Sequence, residues 1–124
     1  MSTMSTDGQE VRRGDVFVVD LSPVVGHEQG GLRQFLLISV NAMHRSVAEM
    51  AIGVPLTTTD RGNRLQVRLE PPEAGLSRVS FAMPEMVRSI SKRRLRRRLG
   101  HASADTVEAI AKHTGVLIGL GRSR

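Results

Sequence analysis

The segment of the chain richest in reactive groups runs Asp20-Leu-Ser-Pro-Val-Val-Gly-His-Glu-Gln-Gly-Gly-Leu-Arg33. It is polar and rich in glycine, and it joins two apolar stretches. A hairpin in a compact domain needs only about two to five connecting residues, so this one is long for a mere connection. It brings an imidazole (His27), a carboxylate (Glu28) and a guanidinium (Arg33) together in sequence. These groups suit phosphodiester cleavage in RNA, where the substrate supplies its own 2′-OH nucleophile. Such an enzyme must take that proton, stabilise charge on the phosphate, and protonate the leaving 5′-oxygen. A guanidinium fits the second task, because its planar fork can grip two phosphate oxygens. It is a poor base, with a pKa above about 12, so His27 or Glu28 is the easier base. The residues alone fit an active-site loop and a solvated surface loop equally well.

Three hydroxyls follow at Pro55-Leu-Thr57-Thr58-Thr59. They could donate to phosphate oxygens, but threonine also ends strands for purely local reasons. Between Lys92 and Arg98, six of seven residues are basic, broken only by Leu95. Such a run is either a grip on a polyanion backbone or simply an exposed face. If 95–99 is a strand, Leu95, Arg97 and Leu99 face one way and Arg96 and Arg98 the other. The three phenylalanines, Phe17, Phe35 and Phe81, all sit in apolar stretches, which fits core packing better than a base-stacking platform. His44, His101 and His113 stand apart with no metal-ligand spacing. Met83 and Met86 read as core or interface.

Short strands must carry these groups. Asp15–Leu21, Phe35–Val40, Met50–Leu56, Leu65–Glu70, Val79–Met83 and Leu95–Leu99 are the strand candidates, and Met86–Ile90 could extend the fifth past Pro84. Leu65, Val67 and Leu69 alternate with Gln66, Arg68 and Glu70, as in a half-buried antiparallel strand. The near-continuous run Phe35–Val40 predicts a strand buried on both faces. Asn41–Ser46 has room for one helical turn. The clear helix is C-terminal: Ser103 is a good N-cap, Asp105 suits the first turn, and Val107, Ile110, Ala111, Thr114, Leu117 and Ile118 recur at helical spacing. Gly115 weakens it, and Gly119 and Gly121 end it. Many short strands without long helices between them predict a mostly β fold, an antiparallel barrel or bent sheet with added α structure.

The chain has 124 residues and a net charge of +6. That length allows one modest core. Lys92 and Lys112 are the only lysines, so the positive charge is arginine. A small basic domain suggests a polyanion partner. With no cysteine there is no disulfide framework and no thiolate metal site. No apolar run approaches the ~20 residues of a membrane span. The N-terminus has no secretory pattern, so the expected address is the cytoplasm. Residues 1–10 read as a disordered tail, 11–121 as one domain and 122–124 as a short C-terminal tail.

From Arg13 to Arg33 the chain resembles the opening of the MazF/PemK-like toxins, endoribonucleases of bacterial type II toxin–antitoxin pairs. Gly14-Asp15, Asp20-Leu-Ser-Pro23, Gly26-His-Glu-Gln29 and Arg33 fall at the family's spacing. The resemblance continues through Val54-Pro-Leu-Thr-Thr58, Val87-Arg-Ser-Ile90 and Lys92–Gly100. It implies a small SH3-like antiparallel β-barrel, shared with CcdB-like toxins, working as a homodimer. It implies ribosome-independent cleavage of single-stranded mRNA without metal or other cofactor, leaving a 2′,3′-cyclic phosphate and a 5′-OH. The family's catalytic pair falls on Arg33 and Thr57, and its loop carboxylate on Glu28. His27, Gln29, Thr58, Arg61, Arg64 and Arg88 are the residues expected to contact RNA. A cognate acidic antitoxin is the expected protein partner.

Three positions depart from the family pattern. Gln34 stands where a proline usually follows the arginine, so Arg33 is less restrained by its neighbour. Phe17 replaces a Trp or Tyr, keeping the ring but losing its polar group. Glu85-Met86 replaces the usual Asp-Gln before Val-Arg-Ser. Two other functions fit a basic barrel of this size: a gyrase-inhibiting toxin like CcdB, acting through its C-terminal helix, and a non-catalytic nucleic-acid-binding barrel using the arginine run.

Overall fold

The structure, a computed structural model, describes residues 10–22, 26, 30–47 and 49–120. Seven strands and two helices follow in order: β1 (Asp15–Asp20), β2 (Leu32–Leu37), α1 (Asn41–His44), β3 (Met50–Thr57), β4 (Val67–Leu69), β5 (Ser80–Ala82), β6 (Arg88–Ser91), β7 (Leu95–His101) and α2 (Ala104–Leu117). Every strand pairing is antiparallel. The strand order is β4-β5-β3-β2-β1-β7, with β6 also on β3. The fold is thus mostly antiparallel β with a C-terminal helix, and the ladder stays open between β4 and β7. No helix among the described residues is long and apolar enough to cross a membrane.

Strand β3 organises the sheet. Its residues from Gly53 to Pro55 pair with β2. Its first half, Met50–Gly53, pairs with β6, and its last two residues, Leu56 and Thr57, pair with β5. Gly53 sits where β2 and β6 both press on β3; a Cβ there would collide with the Leu36 carbonyl and the Phe35 ring. The expected continuation of the fifth strand past Pro84 does not form. Pro84–Met86 makes a 3-10 turn instead, and the chain resumes as β6 at the other end of β3. Proline lacks the N–H that a continuous ladder requires there.

Strand β2 starts earlier than its apolar run. Leu32 and Arg33 pair with Asp20 and Val19, and the Leu21 N–H donates to the Gly31 carbonyl. Gly31, at φ +70°, makes the turn into the strand. Arg33 therefore stands on a strand rather than in the loop. The run also ends earlier, at Leu37, and Val40 is exposed.

Two cores cover the two faces of the sheet. Val16, Leu36, Val54, Leu56 and Leu69 pack with Val107 and Ile110 of α2. Phe17, Val19, Phe35, Leu37, Ile90 and Leu95 form the other. Phe35, Leu36 and Leu37 are all fully buried, which is the two-sided burial their unbroken apolar run predicts. Each such Phe or Leu contributes roughly 1.5–3 kcal/mol of hydrophobic free energy. Helix α2 begins as expected: the Ser103 Oγ accepts the Thr106 N–H at 3.2 Å. Glu73 accepts from the Thr106 hydroxyl and the Ser103 N–H at the same helix start. Desolvation pushes the Glu73 carboxyl up, but those hydrogen bonds outweigh it and hold it below its usual range.

The basic run Lys92–Arg98 does not present one face. Two register shifts in the β1–β7 pairing break strict alternation. The buried Lys92 donates from Nζ to the His44 carbonyl at 2.9 Å. Arg94 donates to the carbonyls of Asp20 and Ser22 at 2.8 and 2.7 Å. Arg98 lies over the Phe17 ring, 5.1 Å from its centre, and 3.3 Å from the fully buried Asp15 carboxylate. It also donates to the Glu10 carbonyl, which ties down the end of the N-terminal segment. Arg93, Arg96 and Arg97 are the exposed members.

Candidate active site

A cleft of about 470 Å³ opens where β2 begins and β3 ends. Four residues expected from the sequence line it: Arg33, Thr57, Thr58 and Arg61. Arg33 enters from β2, Thr57 from the last position of β3, and Arg61 from the loop that follows. The Nε of Arg33 is buried and has no hydrogen-bond partner among the described residues. An unsatisfied buried donor costs stability, so its retention points to a ligand that completes it.

The Thr57 hydroxyl oxygen accepts the Thr59 N–H at 3.1 Å. A hydroxyl has one proton to donate, and this contact uses only an acceptor position. The Thr57 O–H is left to donate toward the cleft. The loop beyond is held by its own side chains. Gly62 donates to the Asp60 carboxylate and Leu65 to the Asn63 side chain. Gln66 bridges the loop's two arms, accepting the Arg61 N–H and donating to the Thr59 carbonyl. His113 of α2 fastens the base of the loop, its Nδ1 lying 2.8 Å from the Leu65 carbonyl oxygen.

Sequence reasoning missed three cleft residues, Ser77, Arg78 and Ser80. They arrive because β5 pairs with the end of β3, placing Phe81 beside Thr57. That long-range pairing has no local signature; a Ser-Arg pair after Gly75 is the only sequence hint.

The other expected residues lie elsewhere. Arg88 lines a second cavity of about 420 Å³, with Leu21, Pro55, Glu85 and Met86. The two cavities meet consecutive stretches of β3: Pro55 borders one, Leu56 and Thr57 the other. Arg64 is exposed on the loop and lines neither. His27, Glu28 and Gln29 lie outside the described residues. The stem of their loop is pinned by Arg94, and by the Ser22 N–H donating to Asp20 at 3.0 Å. That backbone hydrogen bond holds the Asp20 carboxyl below its usual range.

Among the described lining residues there are three guanidiniums and several hydroxyls, with no carboxylate and no imidazole. The cleft can therefore bind and stabilise anionic oxygen, while a proton-transfer group must reach it from outside this set. Among the described residues, no three His, Cys, Asp or Glu side chains cluster closely enough to hold a metal ion.

The antiparallel sheet with its C-terminal helix, and a cleft lined by arginines and hydroxyls, are the architecture of a family of small β toxins. The chain belongs to the PemK-like, MazF-like toxins of type II toxin–antitoxin systems, whose family model matches residues 12–117. Endoribonuclease EndoA of Bacillus subtilis (strain 168) is 34% identical over 102 residues, spanning 81% of this chain and 87% of its own. The crystal structure of MazF (Form-I) from Deinococcus radiodurans is 30% identical and superposes with a TM-score of 0.76, covering 88% of this chain and 96% of that one. The MazE–MazF complex (Form-II) from the same organism is 29% identical with a TM-score of 0.72, covering 90% and 97%.

Proposed function

We propose that this protein is a ribosome-independent endoribonuclease toxin that cuts single-stranded mRNA at short motifs. The observation that carries the reading is the unpartnered Arg33 Nε in the same cleft as the Thr57 hydroxyl. The substrate's 2′-oxygen attacks phosphorus as its proton passes to a base. The P–O5′ bond breaks, and the 5′-oxygen takes up a proton. The products are a 2′,3′-cyclic phosphate and a 5′-OH. Arg33 carries the charge that develops on the phosphate oxygens, and Thr57 donates a supporting hydrogen bond. Glu28 is the third catalytic group, the proton acceptor or its relay. His27, Gln29, Thr58, Arg61, Arg64 and Arg88 hold the RNA. The reaction needs no metal, because the nucleophile is in the substrate and the guanidinium supplies the positive charge.

The working form in this reading is a cytoplasmic homodimer, neutralised by a cognate acidic antitoxin. The basic balance of the chain and the solved MazE–MazF complex of a relative support such a partner. The test is incubation of the purified protein with a long single-stranded RNA in EDTA. Fragments with cyclic phosphate ends are expected, and sequencing their 5′ ends reads the motif. Intact RNA would refute the proposal. Inhibition of DNA gyrase would leave the Arg33 arrangement without a use, and a supercoiling assay is expected to show none.

A further inference from the structure

We propose that Arg78, with Ser77, forms a second phosphate subsite beside the Arg33–Thr57 centre, so that the cleft grips the RNA backbone at more than one phosphate. This rests on the reading of the cleft as an RNA-cleaving site.

Arg33, Arg61 and Arg78 line one cavity. None of the three has an ion-pair partner among the described residues. Four arginines outside the cleft do sit against acids: Arg13 with Glu108, Arg68 with Glu70, Arg96 with Asp20, and Arg98 with Asp15. Three like charges in one cleft repel one another, and no described carboxylate there offsets them. A polyanion does. A single phosphodiester carries one negative charge, which the fork of Arg33 alone can match. The other two guanidiniums exceed what one phosphate needs, and they fit its neighbours along the strand.

The placement of Arg78 follows from the β3–β5 register. Thr57 pairs with Phe81. Past that pair, β3 leads to Thr58 and Thr59, while β5 read backwards leads to Ser80 and then Arg78. The side chains extend the cleft away from Thr57 along both of its walls. The Ser80 hydroxyl donates to the Arg78 carbonyl at 3.0 Å, which fixes the backbone of the turn and leaves the guanidinium exposed to a ligand.

The probe is a short 2′-O-methyl RNA oligonucleotide, which lacks the nucleophile and is not cut. Its affinity is measured against salt for the wild type, Arg78→Gln and the charge-matched control Arg45→Gln, an exposed site outside the cleft. Single-strand binding loses about 0.7 of its log–log salt slope per phosphate contact removed. Arg78→Gln is expected to lower the slope by about that amount and to weaken binding about tenfold on every sequence. Arg45→Gln is expected to do neither. In cleavage of an unmodified oligonucleotide, the loss in Arg78→Gln falls on KM. An unchanged slope and KM in Arg78→Gln overturn the subsite. So does an unchanged RNA slope with lost binding of poly-L-glutamate, which would make the same surface a peptide-docking site. If the wild type cuts no RNA but the slope still falls in Arg78→Gln, the subsite stands and the catalytic reading fails.

Discussion

The hydroxyl of Thr57 is turned by its neighbour Thr59, whose backbone N–H it accepts at 3.1 Å. The contact occupies a lone pair and leaves the hydroxyl proton free, in the same cleft as the unpartnered Nε of Arg33. The end of one strand thus supplies a hydroxyl, and the neighbouring strand supplies a charge with no counter-ion among the described residues.

Replacement of Arg33 separates activity from stability. Arg33→Met keeps much of the stem and removes the guanidinium. RNA cleavage is expected to fall about a hundredfold or more, the scale of losing a donor aimed at transition-state charge. The fold is expected to hold or to gain up to about 1 kcal/mol, because no hydrogen bond to Nε is lost and its desolvation is relieved. Single-turnover rates and a urea midpoint on the same preparation check both halves.

Thr57 is tested by shape and by hydroxyl. Thr57→Val keeps the branch but loses both the donor and the acceptor for Thr59. Cleavage is expected to drop about tenfold, the loss of one hydrogen bond to a charged group. Thr57→Ser retains the hydroxyl and is expected to keep most of the rate.

His44 sets an acid limit on stability. It is fully buried, 2.6 Å from the Ser39 hydroxyl. Burial holds its pKa below the ordinary 6.5, and the Lys92 ammonium pushes the same way. In the unfolded chain the imidazole binds a proton near 6.5, whereas in the fold it does so only at lower pH. The unfolded state therefore holds more protons below that value, and stability falls as pH drops through it. Urea midpoints are expected to decrease from about pH 7.5 to about pH 5.5, with a flatter profile in His44→Asn. Glu73 acts in a separate window: its lowered pKa stabilises the fold above 4.5, and that contribution is lost only as pH falls further.

Asp15 and Arg98 form a buried pair whose halves are not independently replaceable. Asp15 is fully buried and also accepts from the Arg12 N–H, with the His101 ring 2.9 Å away, while the Arg98 side chain is 11% exposed. Arg98→Met or Asp15→Leu alone is expected to cost about 3 kcal/mol, because each takes the opposite charge away from a buried one. The double variant is expected to cost less than the two singles together. Chemical denaturation of all four proteins closes the cycle.

Much of the architecture, and the candidate pair that shares the cleft, was legible in the order of residues. The alternation through Leu69, the unbroken run at Phe35–Leu37 and the Ser103 cap ahead of Val107 and Ile110 each declare a local geometry, because side-chain period and capping act within a few residues. The family resemblance pointed to Arg33 and Thr57 as a pair, and the fold sets both on one cleft. Tertiary structure decided the rest. Composition cannot say that Arg98 turns inward to Asp15 while Arg97 stays exposed, since bulges in the β1–β7 pairing set that. Nor can it say that Arg78 joins Arg33 while Arg88 lines another cavity. Those outcomes depend on which strand edge β5 and β6 take along β3, a choice made by the packing of residues far apart in sequence rather than by any one segment's propensity.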